Sequence, residues 1–164
     1  MTVVVADSSP LNYLVLIGSI EILQRLFDRI LVPEEVILEL AAVGTPTEVR
    51  QWAEALPGWV IVSDRGHGAD QEMQQLDPGE RAAIVLAQAH PKALLLIDDA
   101  AGRLEATRRG IECTGTLGVL RAAASKSLID LPSMLGRLLE TSFRISPFIV
   151  AELLAEDAQR RNVD

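Results

Sequence analysis

Short, unbroken apolar runs alternating with helical patterns predict an α/β fold. The expected form is a three-layer αβα domain whose central parallel sheet, of about four to five strands, is covered by helices on both faces. Three observations carry this. Val3 to Ala6 and Ala93 to Ile97 are apolar throughout, as strands buried on both faces are. The stretches between such runs repeat their apolar residues at helical spacing. Leu, Ile, Val and Ala supply the apolar content and only 4% of residues are aromatic, which suits helices packed on a sheet.

The first strand stops at Asp7-Ser8-Ser9-Pro10, where Pro10 can occupy the first position of a helix that carries Leu11, Leu14, Val15 and Ile17 to Gly18. Ser19 is placed to cap a second short helix with Ile20, Leu23 and Leu26. Ile30 to Val32 reads as a strand, and Pro33 opens a helix expected to reach Val43. After the break at Gly44-Thr45-Pro46, a more exposed helix runs to Ala55, followed by a strand at Trp59 to Val62. The polar stretch Asp64-Arg65-Gly66-His67-Gly68 is the candidate mobile segment. Asp77-Pro78-Gly79-Glu80 has an acidic N-cap, proline at N1 and glutamate at N3, so a helix should start there and run to about Ala89. A helix over 102–109, a strand over 111–114 and a helix over 116–125 follow. Two further helices, about 131–140 and 147–160, are expected to pack on a single domain spanning 1–164.

Composition narrows the function classes. The chain is 49% hydrophobic, with its charges dispersed, which describes a packed globular domain. Cys113 is the single cysteine, so no internal disulfide is possible, and its apolar setting reads as a structural thiol. The amino terminus lacks a basic segment and meets Asp7 early, unlike a signal peptide. No apolar run approaches the ~20 residues of a membrane helix. A cytoplasmic location is expected. The net charge of −8 opposes a nucleic-acid binder unless bound cations offset converging acids.

Acids sit where a parallel sheet binds ligands, beyond the carboxyl ends of its strands. Asp7 directly follows one apolar strand and Asp98-Asp99 another. Steps of 100° along the helix after Pro33 put Val36, Leu40 and Val43 on one stripe with Glu39 beside it, while Glu34 points away. Glu80 shares a face with Ala83, Ile84 and Ala87. Buried carboxylates must be paired, protonated or bound to metal, and an oxygen-only set favours Mg²⁺ or Mn²⁺. Each acid also has a purely structural reading: Asp7, Asp98 and Asp99 as helix caps, Glu80 as the partner of Asp77 in a capping box, Glu39 as a helix-rim residue.

The ordered set Val-Val-Ala-Asp7-Ser8-Ser9-Pro10-Leu11, Val32-Pro33-Glu34-Glu35-Val36 leading to Glu39, Leu76-Asp77-Pro78-Gly79-Glu80, Leu95-Leu96-Ile97-Asp98-Asp99 and Gly115-Thr116-Leu117-Gly118 resembles PIN-domain proteins over essentially the whole chain. Together with Ser142-Phe143-Arg144-Ile145-Ser146, it resembles a bacterial and archaeal subfamily of toxin ribonucleases related to VapC. The resemblance implies a metal-dependent ribonuclease with an RNA substrate, a small antitoxin as partner and a homodimer. It gives catalytic roles to Asp7, Glu39, Glu80, Asp98 and Asp99, with Asp7, Glu80 and one or both of Asp98 and Asp99 as ligands of Mg²⁺ or Mn²⁺. Ser8 and Thr116 would meet substrate phosphate or a water of the ion, and Arg103 is a candidate phosphate contact from its place among the basic residues near the acidic strand end. The chain departs from the family where many PIN nucleases carry Asp and this one has Glu80.

Arg103, Arg108, Arg109 and Arg121 form a candidate basic rim near the acidic strand end, and Phe148, Ile149, Leu153 and Leu154 a candidate dimer surface on the last helix. A haloacid-dehalogenase-type phosphatase needs a second Asp where Ser9 stands, and neither a phosphate-binding loop nor a dinucleotide fingerprint is present. The remaining alternative is a non-catalytic PIN-like module that binds RNA or protein.

Overall fold

The computed structural model describes residues 2–64 and 73–163. The chain order is β1 (Val4–Ala6), α1 (Ser8–Leu16), α2 (Ile22–Phe27), β2 (Ile30–Pro33), α3 (Glu34–Leu40), α4 (Thr47–Glu54) and β3 (Val60–Ser63). It continues with α5 (Pro78–Gln88), β4 (Leu94–Leu96), α6 (Ala100–Arg108), β5 (Glu112–Thr114), α7 (Thr116–Ser125), α8 (Leu131–Leu139) and α9 (Pro147–Val163). All five strands are parallel, in the order β3-β2-β1-β4-β5. The predicted three-layer fold is therefore the observed one.

Strand pleat divides the core in two. Val4 and Ala6 of β1 and Leu96 of β4 join a cluster with Leu11, Leu14, Leu23, Val36 and Leu120. Val5, Leu95 and Ile97 point the other way, into a cluster with Met73, Ile84, Leu86 and Ala106. Residues on both faces are buried because alternate side chains leave the sheet on opposite sides. The connections run outward from β1 in both directions, so strand order reverses between β1 and β4. Such a switch point opens a crevice at the carboxyl ends of the two strands.

Several boundaries differ from the sequence reading. α1 begins at Ser8, so Pro10 sits inside the first turn, where its missing N–H costs nothing. Ser19 caps no helix: α2 starts at Ile22 behind Glu21, and the Ser19 hydroxyl meets Met134 Sδ at 2.8 Å. α3 ends at Leu40, closed by Ala41 N–H on Ile37 and Ala42 N–H on Glu39. Val43, assigned to the apolar stripe, is consequently 96% exposed. On α9, Leu153 and Leu154 pack against the core while Phe148 and Ile149 are exposed. Beyond Asp64 the candidate mobile segment lies outside the described residues. Among the described residues no helix is long and apolar enough to cross a membrane.

Leu96 is fully buried at the end of β4, next to the crevice, whereas Leu38 is 65% exposed on α3. Leu96→Ala should cost about 2–5 kcal/mol in urea unfolding through the cavity it leaves. Leu38→Ala should stay within about 0.5 kcal/mol. Equal effects would contradict this core.

Candidate active site

Asp7 lies at the switch point. Its N–H donates to the Leu96 carbonyl at 2.9 Å, continuing the β1–β4 ladder one step past the strand and drawing the residue inside. It occupies the N-cap position of α1, yet its side chain makes no capping bond. The residue is 2% exposed, and Oδ1 is buried with no hydrogen-bond partner among the described residues. Burial is the main cause that pushes its carboxyl up to about 8. A backbone hydrogen bond from Ser8 opposes the rise, while the charges of Asp77, Glu80 and Glu39 add to it.

Glu39 reaches the same place from α3. Its carboxylate accepts a hydrogen bond from the Ser8 side chain. Its Oε2 lies 2.7 Å from where a β-carbon on residue 79 would sit, a space that only Gly79 leaves open. This puts Glu39 against the first turn of α5, where unpaired helix amides favour negative charge. Partial burial and then Asp77 raise its pKa, and the Ser8 bond lowers it.

The capping box is real. Asp77 Oδ1 accepts the Glu80 N–H at 2.8 Å, and Glu80 Oε2 accepts the Asp77 N–H at 3.4 Å. The second arm is longer than a good N–H···O bond, so it commits the Glu80 side chain only weakly. Burial, then Asp77 and Asp99, raise the Glu80 carboxyl to about 7.

Asp98 and Asp99, adjacent in sequence, separate in space. Asp99 Oδ2 accepts the Gly102 N–H at 2.8 Å and caps α6. Asp98 instead takes three donors. The Thr116 N–H reaches Oδ1 at 2.7 Å, and the Thr116 and Ser9 hydroxyls reach Oδ2 at 2.7 and 2.8 Å. A β-carbon on Gly115 would stand 2.6 Å from Oδ1, so the α7 amide can approach only because residue 115 has no side chain. Thr116, expected at a substrate phosphate, is fully buried and directs both donors to Asp98.

Two participants were missed by the sequence reading. Ser9, noted only for failing to be an Asp, ties the start of α1 to Asp98. Asp77, read as a cap alone, raises the pKa of Asp7, Glu39 and Glu80. A second hydroxyl directly after Asp7, and two acids three residues apart at Asp77 and Glu80, were the available signals. The candidate basic rim is corrected: Arg108 and Arg109 both bind Glu105, and Arg121 binds Glu156 at 2.8 Å. Arg103 stays exposed beside Gly115. The Cys113 thiol is raised by burial, as a structural thiol should be.

Among the described residues no three His, Cys, Asp or Glu side chains are gathered tightly enough to enclose an ion by themselves. What the site does present is a buried carboxylate oxygen with no hydrogen-bond partner among the described residues, near the charges of Asp77, Glu80 and Glu39. That fits a hard divalent cation keeping part of its water shell.

A parallel α/β domain with acids at the carboxyl ends of β1 and β4 defines the class. The chain belongs to the PIN-domain family, whose pattern matches residues 3–159. Members of this family are generally nucleases that need a divalent metal. A stretch of 93 residues is also 38% identical to the aliphatic sulfonates import ATP-binding protein SsuB of Cupriavidus pinatubonensis. The alignment covers 55% of this chain but 29% of that protein, so the chain spans under a third of that relative's length. No solved structure matches the chain.

The raised carboxyls set a pH dependence. Asp7 and Glu80 titrate near 8 and 7 when folded, against ordinary values of 3.8 and 4.5. Between those limits the folded chain binds more protons, so their contribution to stability is complete at about pH 4 and lost as pH rises through about 8. With chelator present, the melting temperature should fall by several degrees between about pH 6 and 8.5, at roughly 2–4 °C per kcal/mol for a chain of this size. Asp7→Asn should flatten that fall. An equal fall in both proteins would show that Asp7 is not the buried acid described.

Proposed function

We propose that this protein is a divalent-metal-dependent endoribonuclease that hydrolyses RNA phosphodiester bonds at the Asp7 cluster. The observation that carries the reading is the buried Oδ1 of Asp7, without a hydrogen-bond partner among the described residues, on a carboxyl whose pKa is raised by burial and by the charges of Asp77, Glu80 and Glu39. A group so placed is costly unless it is protonated or meets a cation. Asp7, Glu80 and Asp98 would hold Mg²⁺ or Mn²⁺, with Asp99 at the rim as cap of α6. When bound, the ion supplies Lewis acidity toward phosphate and a water activated near neutral pH. Ser8 orients Glu39, and Thr116 with Ser9 fixes Asp98, so the oxygens are positioned before substrate arrives. The acids of this region offset much of the objection from a net charge of −8, because bound ions neutralise part of it.

The toxin role belongs to the same reading, with a small antitoxin covering the site and a homodimer as the working form. Phe148, 70% exposed on α9, supports self-association. Light scattering at micromolar concentration should then give twice the mass of 17.8 kDa. The second reading, a module without chemistry, draws on the capping box that gives Glu80 a structural reason to be there. Such a module has no need of metal, so titration calorimetry with Mn²⁺ separates the two.

Asp7→Asn should abolish Mn²⁺- or Mg²⁺-dependent cleavage of RNA while leaving metal-free stability equal or higher. Manganese at a hundred times its Kd should stabilise the wild type by about 2.7 kcal/mol, and the variant much less. Asp7→Ala provides the control for capping, since loss of an Asp cap costs about 0.5–2 kcal/mol. Should Asp7→Ala unfold the chain while metal moves neither melting curve, Asp7 is a structural residue and the nuclease reading fails.

A further inference from the structure

Beside Asp98 a cleft of about 310 Å³ opens between the β5–α7 turn and the segment that joins α8 to α9. The geometry points to this cleft as the path of the RNA strand, in which Arg103 and Arg144 hold a backbone phosphate next to Asp98. This rests on the ribonuclease reading and gives that site its substrate groove.

Four observations converge. First, the volume falls within the ~300–1,000 Å³ of ligand-holding clefts. Second, Gly115 and Gly118 line it without side chains, so backbone forms part of its wall. Leu117 and Gly118 belong to the first turn of α7, where the Thr116 N–H is already taken by Asp98 and the next two amides have no acceptor within the helix.

Third, both arginines line the cleft, are exposed, and have no carboxylate partner among the described residues. Elsewhere Arg108 and Arg109 bind Glu105, Arg121 binds Glu156, and Arg160 and Arg161 bind Asp157, so those guanidiniums are already engaged. Two unpaired guanidiniums on one cleft suit a phosphodiester, to which each offers its planar fork of donors.

Fourth, the segment carrying Arg144 is anchored to the helix that follows Asp7. Phe143 meets Tyr13 edge to face at 4.8 Å between centroids, and the Tyr13 hydroxyl is 2.9 Å from Ser142 Oγ. Arg144 is thereby positioned relative to Asp7 and Asp98 before any ligand binds. A groove so placed sets which phosphate lies over the carboxylates.

The test is binding of a fluorescent single-stranded oligoribonucleotide to the full chain by anisotropy across a salt series, with Ca²⁺ replacing Mg²⁺ to prevent turnover. Arg103→Ala and Arg144→Ala should each weaken binding and flatten the slope of log K against log salt by about 0.7 for each phosphate no longer neutralised. Arg144→Lys should keep most of the slope, since the charge is retained, and Arg121→Ala should match the wild type. Melting curves with and without Mn²⁺ accompany each variant, and the Mn²⁺ shift should survive in both alanine variants. Its loss would mean that the arginines act through the carboxylate site, which overturns the groove. Wild-type affinity and slope in both alanine variants would also overturn it while leaving metal-dependent cleavage, and so the ribonuclease reading, intact. Loss of binding to an Asp/Glu-rich peptide with RNA binding unchanged would assign the cleft to a protein partner and sink the proposal. Absence of salt-dependent RNA binding by the wild type would remove groove and ribonuclease reading together.

Discussion

The burial of the Asp7 carboxyl constrains everything around it. The residue is held inside by its backbone, because its N–H completes a ladder bond to Leu96 that belongs to the sheet itself. The residue is then only 2% exposed, and Oδ1 finds no donor among the described residues. A carboxylate in that position is unfavourable unless protonated or met by a cation. Glu39, Asp77 and Glu80 increase the cost rather than relieving it. The stability that tolerates this comes from elsewhere, chiefly the two aliphatic clusters that cover the opposite faces of the sheet.

Asp98 shows how differently an acid at the next strand end can be treated. Three donors from two helices satisfy its oxygens, and a glycine opens the space for one of them. Its oxygens are held in place, while Asp7 Oδ1 has no donor among the described residues. Asp99, one residue further, caps α6 and contributes charge to Glu80. Three acids at adjacent strand ends therefore have three physical roles, decided by which backbone amides and hydroxyls lie within reach.

Charge is distributed on the same principle. The molecule is acidic overall, and Arg108, Arg109, Arg121, Arg160 and Arg161 bind the carboxylates of Glu105, Glu156 and Asp157. Arg103 and Arg144 are left on one cleft at the edge of the acids. Anionic substrate and acidic centre are reconcilable when positive groups flank the acids and ions occupy them, since the local field rather than net charge governs approach.

Much of this was legible from sequence. Uniform apolar runs ending in acids at Asp7 and Asp98 pointed to the parallel sheet and its ligand edge, because a strand buried on both faces has no polar residue until it stops. Asp77-Pro78-Gly79-Glu80 announced its own capping box, a local motif that needs no distant partner. Local pattern failed where distant contacts decide. Ser19 turned to Met134 instead of capping α2, Val43 fell beyond the helix whose stripe its spacing continues, and three of four candidate rim arginines found acids of their own. Only the folded chain brings Ser9 to Asp98 across 89 residues, sends Thr116 to the same carboxylate and leaves Asp7 Oδ1 without a donor among the described residues. Periodicity records which face a residue presents, whereas hydrogen-bond satisfaction depends on what the topology sets opposite it.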